Sequence, residues 1–120
     1  MIEKRLLQAA VIVASLVPIA AGVSGVWQGP HAGGLDLDSH FRYLSGLLLA
    51  IGFGYLSTVP RIETHGERFR LLTFIVVMGG IGRLVSLLAV GQASGIMSGA
   101  LAMELVVTPA LALWQARVAR

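Results

Sequence analysis

The chain has 120 residues, of which 56% are hydrophobic and 12% are charged, and its formal net charge is +3. Soluble domains carry roughly 25% charged residues, so this chain has too little charge for a water-exposed surface. Its mean hydropathy of +0.82 excludes a disordered chain, an ordinary soluble enzyme and a nucleic-acid-binding protein. The absence of cysteine also excludes disulfides, thiol nucleophiles and Cys-ligated metal centres. The composition therefore indicates an integral membrane protein.

Four apolar segments each approach the ~20 residues that a helix needs to cross a bilayer. They predict helices over residues 6–26, 41–59, 71–90 and 96–114. The segments between them are too short to fold as a soluble domain. We therefore expect an all-α fold, an integral membrane four-helix bundle that forms a single transmembrane domain over residues 1–120.

The ends of these helices carry the expected markers. Pro30 follows the first helix and Pro60 ends the second, because proline cannot donate a backbone hydrogen bond to a continuing helix. Asp38 precedes the second helix, where its side chain is predicted to cap the free N–H groups. Trp27 and Trp114 lie at helix ends, as is typical of rings in the headgroup layer.

The basic residues predict the orientation. Of the nine lysines and arginines, seven flank the predicted helices on one side, namely Lys4, Arg5, Arg61, Arg68, Arg70, Arg117 and Arg120. Arg42 lies on the opposite side, and Arg83 lies within a span. Because basic residues stay cytoplasmic, we expect both termini inside (N-in/C-in). Lys4, Arg5 and the apolar segment after them also resemble a signal peptide, an alternative that we disfavour because cleavage would place the C-terminus outside.

Small residues recur at helical spacing on three of the helices. Such rows allow helix backbones to approach closely in a membrane, and they predict ordinary packing within the bundle. The rows are Ala10, Ala14, Pro18 and Gly22; Gly46, Ala50 and Gly54; and Gly79, Gly82, Arg83 and Ser86.

Two opposite charges lie inside the predicted spans. The short connection over residues 91–95 predicts a tight hairpin of the third and fourth helices. Arg83 precedes this hairpin and Glu104 follows it by similar distances, so both lie roughly 10–12 Å below the outer surface. Because an unpaired charge at this depth is costly, we expect Arg83 and Glu104 to form a pair.

Arg42 adds a third charge, which we place in the first turn of the second helix. An arginine there is unfavourable beside the positive end of the helix dipole unless an acid, water or an anion accompanies it. The outer half of the bundle is therefore predicted to hold a polar cluster of Asp38, His40, Arg42, Tyr43, Arg83 and Glu104. This cluster is either an ion-pair network that fixes helix packing or an outward-facing pocket for a small anionic or polar ligand.

Metal and catalytic sites are not indicated. His31, Asp36, Asp38 and His40 offer ligand atoms, but their spacing matches no established zinc pattern. No catalytic motif is present, and Glu63, His65 and Glu67 fit a solvated cytoplasmic loop. We expect no metal, no cofactor and no enzymatic activity.

The segments 38–46 (DSHFRYLSG) and 79–86 (GGIGRLVS), together with Glu104 and Pro109, resemble a family of small bacterial four-helix membrane proteins described as domain of unknown function 4345. The resemblance extends from the first helix to Trp114. It implies a bacterial inner-membrane protein with four helices, and it implies no activity, substrate or site residues.

Two functions are compatible with these features. The first is a non-enzymatic accessory or partner-binding component of a larger membrane assembly. Its partners would be the lipid bilayer and another membrane protein or a second copy, with no nucleic acid. The alternative is binding or transport of a small anionic or lipidic ligand at a pocket lined by Arg42, Arg83 and Glu104.

Overall fold

The computed structural model describes residues 2–30, 32–91 and 94–120, and in this part of the chain the regular structure is entirely helical. Helices α1, α2 and α3 are followed by a fourth long helix over Gly95–Val118, which contains α4, a π-helical turn and α5. The bounds are α1 Ile2–Gln28, α2 Leu35–Thr58, a 3₁₀ turn Ile62–Thr64, α3 Gly66–Val90, α4 Gly95–Ala102, the π turn Met103–Val107 and α5 Thr108–Val118.

Three of these helices are long and apolar enough to cross a membrane, namely α1, α3 and the helix Gly95–Val118. The fourth predicted helix, α2, is present but does not belong to this group. Its sequence includes Arg42, Tyr43 and Tyr55 as well as several glycines and serines, which lower its hydropathy. The four predicted helices are confirmed, whereas a membrane crossing by any of them, including α2, stays a prediction.

The start of α2 corrects the predicted cap. The helix begins at Leu35 after Gly34, and Asp38 lies within its first turn instead of preceding it. The reason is that Asp36 and Asp38 both favour the positive end of the helix dipole, so the chain is helical before the apolar segment begins. The other end agrees with the prediction, since α2 ends at Thr58, two residues before Pro60.

The chain divides into two compact units. Unit 1 consists of Met1–Leu7 and Arg61–Arg120, and unit 2 consists of Gln8–Pro60. The single transmembrane domain over residues 1–120 stays a prediction.

In unit 2, glycines bring α1 and α2 into close contact. A Cβ atom on Gly22 would lie 2.7 Å from the Leu49 Cβ atom, and one on Gly52 would lie 2.5 Å from the Ile19 Cγ1 atom. The predicted close helix packing through the row of small residues on α1 is therefore confirmed at Gly22. On α2, Gly46 lies only at the edge of the contact, because its nearest neighbour would be Val26 Cγ2 at 4.0 Å.

In unit 1, the interior forms where the first turn of α1, the 3₁₀ turn, α3 and α5 meet. The fully buried side chains there are Leu7, Ile62, Phe69 and Gln115. Farther along α3, Gly80 is buried against the fourth helix, and a Cβ atom on it would lie 2.8 Å from Leu105 Cδ2. This packing aligns the middle of α3 with the π turn.

Candidate functional site

The π turn Met103–Val107 widens the fourth helix around Glu104. The Thr108 backbone N–H donates to the Met103 carbonyl, five residues back, and the Thr108 hydroxyl donates to the same oxygen at 2.9 Å. Pro109 has no N–H to donate to the Leu105 carbonyl, so the regular α pattern is interrupted at this point. Single π turns within α-helices occur frequently at functional sites.

The π turn places Glu104 against Arg83 of α3. The Arg83 Nε–H donates to Glu104 Oε1 at 2.8 Å, and the side chains are 35% and 14% exposed, respectively. Gly80 makes this approach possible, because a Cβ atom there would lie 3.1 Å from the Glu104 Cβ atom. The pair expected from the equal depth of the two residues is thus present.

The guanidinium of Arg83 has donors to spare. Its Nη1 contacts the Met97 sulfur at 2.9 Å, which is a weak acceptor. Within the described residues, its Nη2 has no hydrogen-bond partner. Glu104 therefore neutralises the charge of Arg83, but the described residues leave part of its hydrogen-bonding capacity unused.

Next to Arg83, one face of α3 is open. A Cβ atom on Gly79 or Gly82 would have nothing within 4 Å, whereas Gly80 is packed. This corrects the prediction that Gly79 and Gly82 pack within the bundle, because α3 contacts the fourth helix through the neighbouring glycine, about 100° around the helix. We call Gly79, Gly82 and Arg83, which follow helical spacing, the open glycine face.

Arg42 has a different arrangement, in unit 2. Its Nε–H donates to Asp38 Oδ2 at 3.0 Å, and its Nη1 donates to the Val26 carbonyl at 2.6 Å and, more weakly, to the Trp27 carbonyl at 3.4 Å. Arg42 lies in the second turn of α2, not in the first as predicted. It satisfies carbonyl groups at the negative end of α1, a favourable position for a cation.

Four of the six residues of the predicted polar cluster form two ion pairs, Asp38–Arg42 in unit 2 and Arg83–Glu104 in unit 1. His40 is exposed, and the Tyr43 side chain is 65% exposed. Of the candidate metal ligands, Asp36 is exposed and His31 lies outside the described residues.

Sequence reasoning missed a second polar region, at the end of unit 1. Glu3 accepts hydrogen bonds from Arg117 Nε at 3.1 Å and from Trp114 Nε1 at 3.2 Å. Lys4 pairs with Glu63 at 2.9 Å, and the hydrogen bond from Lys4 holds the pKa of the Glu63 carboxyl below its ordinary value. Glu63 therefore joins the 3₁₀ turn to α1 and is not simply part of a solvated loop.

Gln115 joins α5 to the same 3₁₀ turn. Its side chain is 1% exposed, and its Nε2 donates to the Ile62 carbonyl at 2.9 Å. Its Oε1 is buried without a hydrogen-bond partner among the described residues. No periodic or charge pattern marks a single glutamine in a helix as buried, so this contact could not be predicted from the residues.

The described part of the chain is an all-α protein with three helices of membrane-spanning length and apolarity and with an Arg–Glu pair inside two of them. The model of the family named domain of unknown function DUF4345 matches residues 6–115. The chain therefore belongs to this family. No curated protein and no solved structure matches the chain.

Proposed function

We propose that the chain is a non-enzymatic inner-membrane protein of bacteria that binds another membrane protein through the open glycine face of α3. It would act as an accessory component of a larger membrane assembly. The observation that carries the proposal is the space that the described residues leave open at Gly79 and Gly82, beside a guanidinium with a donor that none of them accepts.

The distribution of basic residues supports insertion with both termini in the cytoplasm. Within unit 1, the contacts of Glu3 with Arg117 and of Lys4 with Glu63 bring the start of α1, the 3₁₀ turn and the end of α5 to one end. These segments carry or adjoin the seven basic residues that the positive-inside rule places in the cytoplasm. We expect the chain to resist alkaline extraction. We also expect a reporter that is active only in the cytoplasm to be active when it is fused to either terminus. A periplasmic terminus would contradict this orientation.

The open glycine face has the properties of a helix-binding surface. Membrane helices associate through van der Waals contact between small residues, because lipid provides no hydrophobic drive between them. Gly79 and Gly82 let a second backbone approach α3 closely. Arg83 borders them and can donate to a carbonyl or carboxylate of that helix, which would satisfy a polar group that is costly to leave unpaired in a membrane.

The test compares two neighbouring positions of α3. A tagged chain is purified in mild detergent from its native membrane, and proteins that co-elute in fixed stoichiometry are identified by mass spectrometry. Gly82→Leu is expected to lose the companion, because the new side chain fills the open face. Ile81→Leu, a substitution at a 43% exposed position on another face, is expected to retain it. Equal retention by both variants would contradict the proposal, and a companion of identical mass would identify a second copy.

A second candidate function is the binding or transport of a small anionic or lipidic ligand. The unused Nη2 donor of Arg83 favours it, since a carboxylate or phosphate oxygen is a strong acceptor for a guanidinium. This function predicts that a small molecule, instead of a protein, co-elutes with the chain and is lost in Arg83→Leu while Gly82→Leu retains it.

A further inference from the structure

A cavity of about 470 Å³ lies at the start of α3, away from the Arg83–Glu104 pair in sequence. We call it the cationic groove, and its lining residues are Thr64, His65, Gly66, Glu67, Arg68 and Arg70. We propose that the cationic groove binds the phosphate of an anionic headgroup at the membrane surface. The proposal rests on the membrane insertion proposed above but is independent of the open glycine face.

The lining of the groove is basic. Two arginines face one glutamate in the groove, so the groove carries an excess of positive charge. Arg70 is exposed, and its guanidinium can therefore be reached by an anion. Guanidinium groups bind phosphate oxygens through paired, charge-assisted hydrogen bonds, which makes a phosphate the matching ligand class.

Arg70 has hydrogen-bonding capacity that the described residues leave unused. Within the described part of the chain, its guanidinium makes no hydrogen bond and no ion pair. It folds back over the start of α3, where its Nη1 lies 3.0 Å from the position of a Cβ atom on Gly66. A side chain on Gly66 would therefore crowd the guanidinium, and the glycine leaves room for it at the start of α3.

The groove lies just outside the apolar segment of α3. Arg70 immediately precedes the apolar segment of α3, which begins at Leu71. Gly66 lies five residues earlier, or about 7.5 Å along the helix axis. The interfacial layer on each side of the hydrocarbon core has a thickness of about 5–8 Å. In an inserted α3, the groove therefore lies at the level of the lipid phosphates.

The experiment measures lipid selection by the whole chain in vesicles of phosphatidylcholine. Spin-labelled phosphatidylglycerol or phosphatidylcholine is added, and the protein-associated fraction of each is determined by electron spin resonance. The wild-type chain is expected to select phosphatidylglycerol. Arg70→Gln is expected to weaken this selection about fivefold, the contribution of one basic residue at a membrane surface, and Arg70→Lys is expected to retain most of it.

The matched control is Arg120→Gln, which removes the same charge from an exposed position outside the groove. It is expected to have a much smaller effect. An equal loss of selection in Arg70→Gln and Arg120→Gln would overturn the proposal, because it would show general attraction to a basic surface. A wild-type chain that resists alkaline extraction but shows neither this selection nor Arg70-dependent binding of inorganic phosphate would overturn it as well.

A further arm distinguishes the two sources of phosphate. Inorganic phosphate is titrated into the reconstituted protein, and binding is followed by phosphorus NMR in the wild type and in Arg70→Gln. Arg70-dependent binding of phosphate without selection of phosphatidylglycerol would support the site but assign it to a soluble phosphate compound. Alkaline extraction of the same vesicles separates failure of the groove from failure of membrane insertion.

Discussion

The Arg83–Glu104 pair predicts unequal costs for removing its two members. Glu104 is only 14% exposed, so Arg83→Leu leaves a largely enclosed carboxylate without its partner. Losing one member of a buried pair costs about 3–5 kcal/mol, and the 35% exposure of Arg83 reduces this value. We expect Arg83→Leu to destabilise the chain by about 2–4 kcal/mol.

The converse variant is expected to cost less. Glu104→Leu leaves Arg83 with a long side chain that can extend toward water, so the expected loss is about 1–2 kcal/mol. The double variant Arg83→Leu/Glu104→Leu is expected to cost less than the sum of the single variants, because it leaves no unpaired charge. The expected coupling energy is about 1–3 kcal/mol.

The assay is reversible unfolding in mixed micelles of mild detergent and dodecyl sulfate, followed by circular dichroism. Leu88→Ala is the control, since Leu88 is 75% exposed and its truncation is expected to cost less than about 0.5 kcal/mol. Additive costs for Arg83→Leu and Glu104→Leu would refute the reasoning. An Arg83→Leu variant with the same unfolding midpoint as the control Leu88→Ala would also refute it.

Three further predictions concern other contacts. Gly80→Ala is expected to destabilise the chain by about 1–3 kcal/mol, because the new methyl group overlaps with the fourth helix. Gly79→Ala is expected not to destabilise it, since no described residue lies near this position. The same unfolding assay compares the two variants, and equal effects would contradict the assignment of Gly80 to the packed face and of Gly79 to the open face of α3. Gln115→Leu is expected to cost about 0.5–1.5 kcal/mol, because it removes the 2.9 Å hydrogen bond to the Ile62 carbonyl and leaves that oxygen only the longer bond from the His65 N–H at 3.3 Å. An unchanged unfolding midpoint would show that the Gln115 bond contributes little. Lys4→Gln is expected to raise the pKa of Glu63 toward its ordinary value of 4.5, which carbon NMR of the carboxylate measures. Because the pKa of Glu63 is lowered in the folded state, the Lys4–Glu63 pair stabilises the fold above the ordinary pKa, and this stabilisation is lost as the pH falls through the folded-state pKa. A Glu63 pKa that does not respond to Lys4→Gln would contradict the pairing.

The sequence predicted the features that follow from hydropathy and charge. Four helices are evident from apolar segments, and the end of α2 near Pro60 follows from backbone chemistry. The contact between Arg83 and Glu104 was also predictable, because two helices of a tight hairpin have matching depths and opposite charges attract strongly at that depth.

Features that depend on rotation about a helix axis were not predictable. Gly79, Gly80 and Gly82 are equivalent in sequence, and only the packed helices show that Gly80 contacts the fourth helix. The π turn shifts the side chains around Glu104 relative to an ideal α-helix, and Pro109 by itself indicates only an interruption. The contacts of Glu3 with Arg117 and Trp114 join residues more than 100 positions apart, which no local pattern records.

The partner-binding role of the open glycine face is tested most directly by cross-linking in the native membrane. Because the chain has no cysteine, Gly82→Cys and Ile81→Cys each provide a single thiol for a maleimide that carries a benzophenone. After illumination, Gly82→Cys is expected to give one discrete protein adduct, while Ile81→Cys gives none or far less of it. The same adduct in equal yield from both positions, or no protein adduct from Gly82→Cys, would contradict the proposed function.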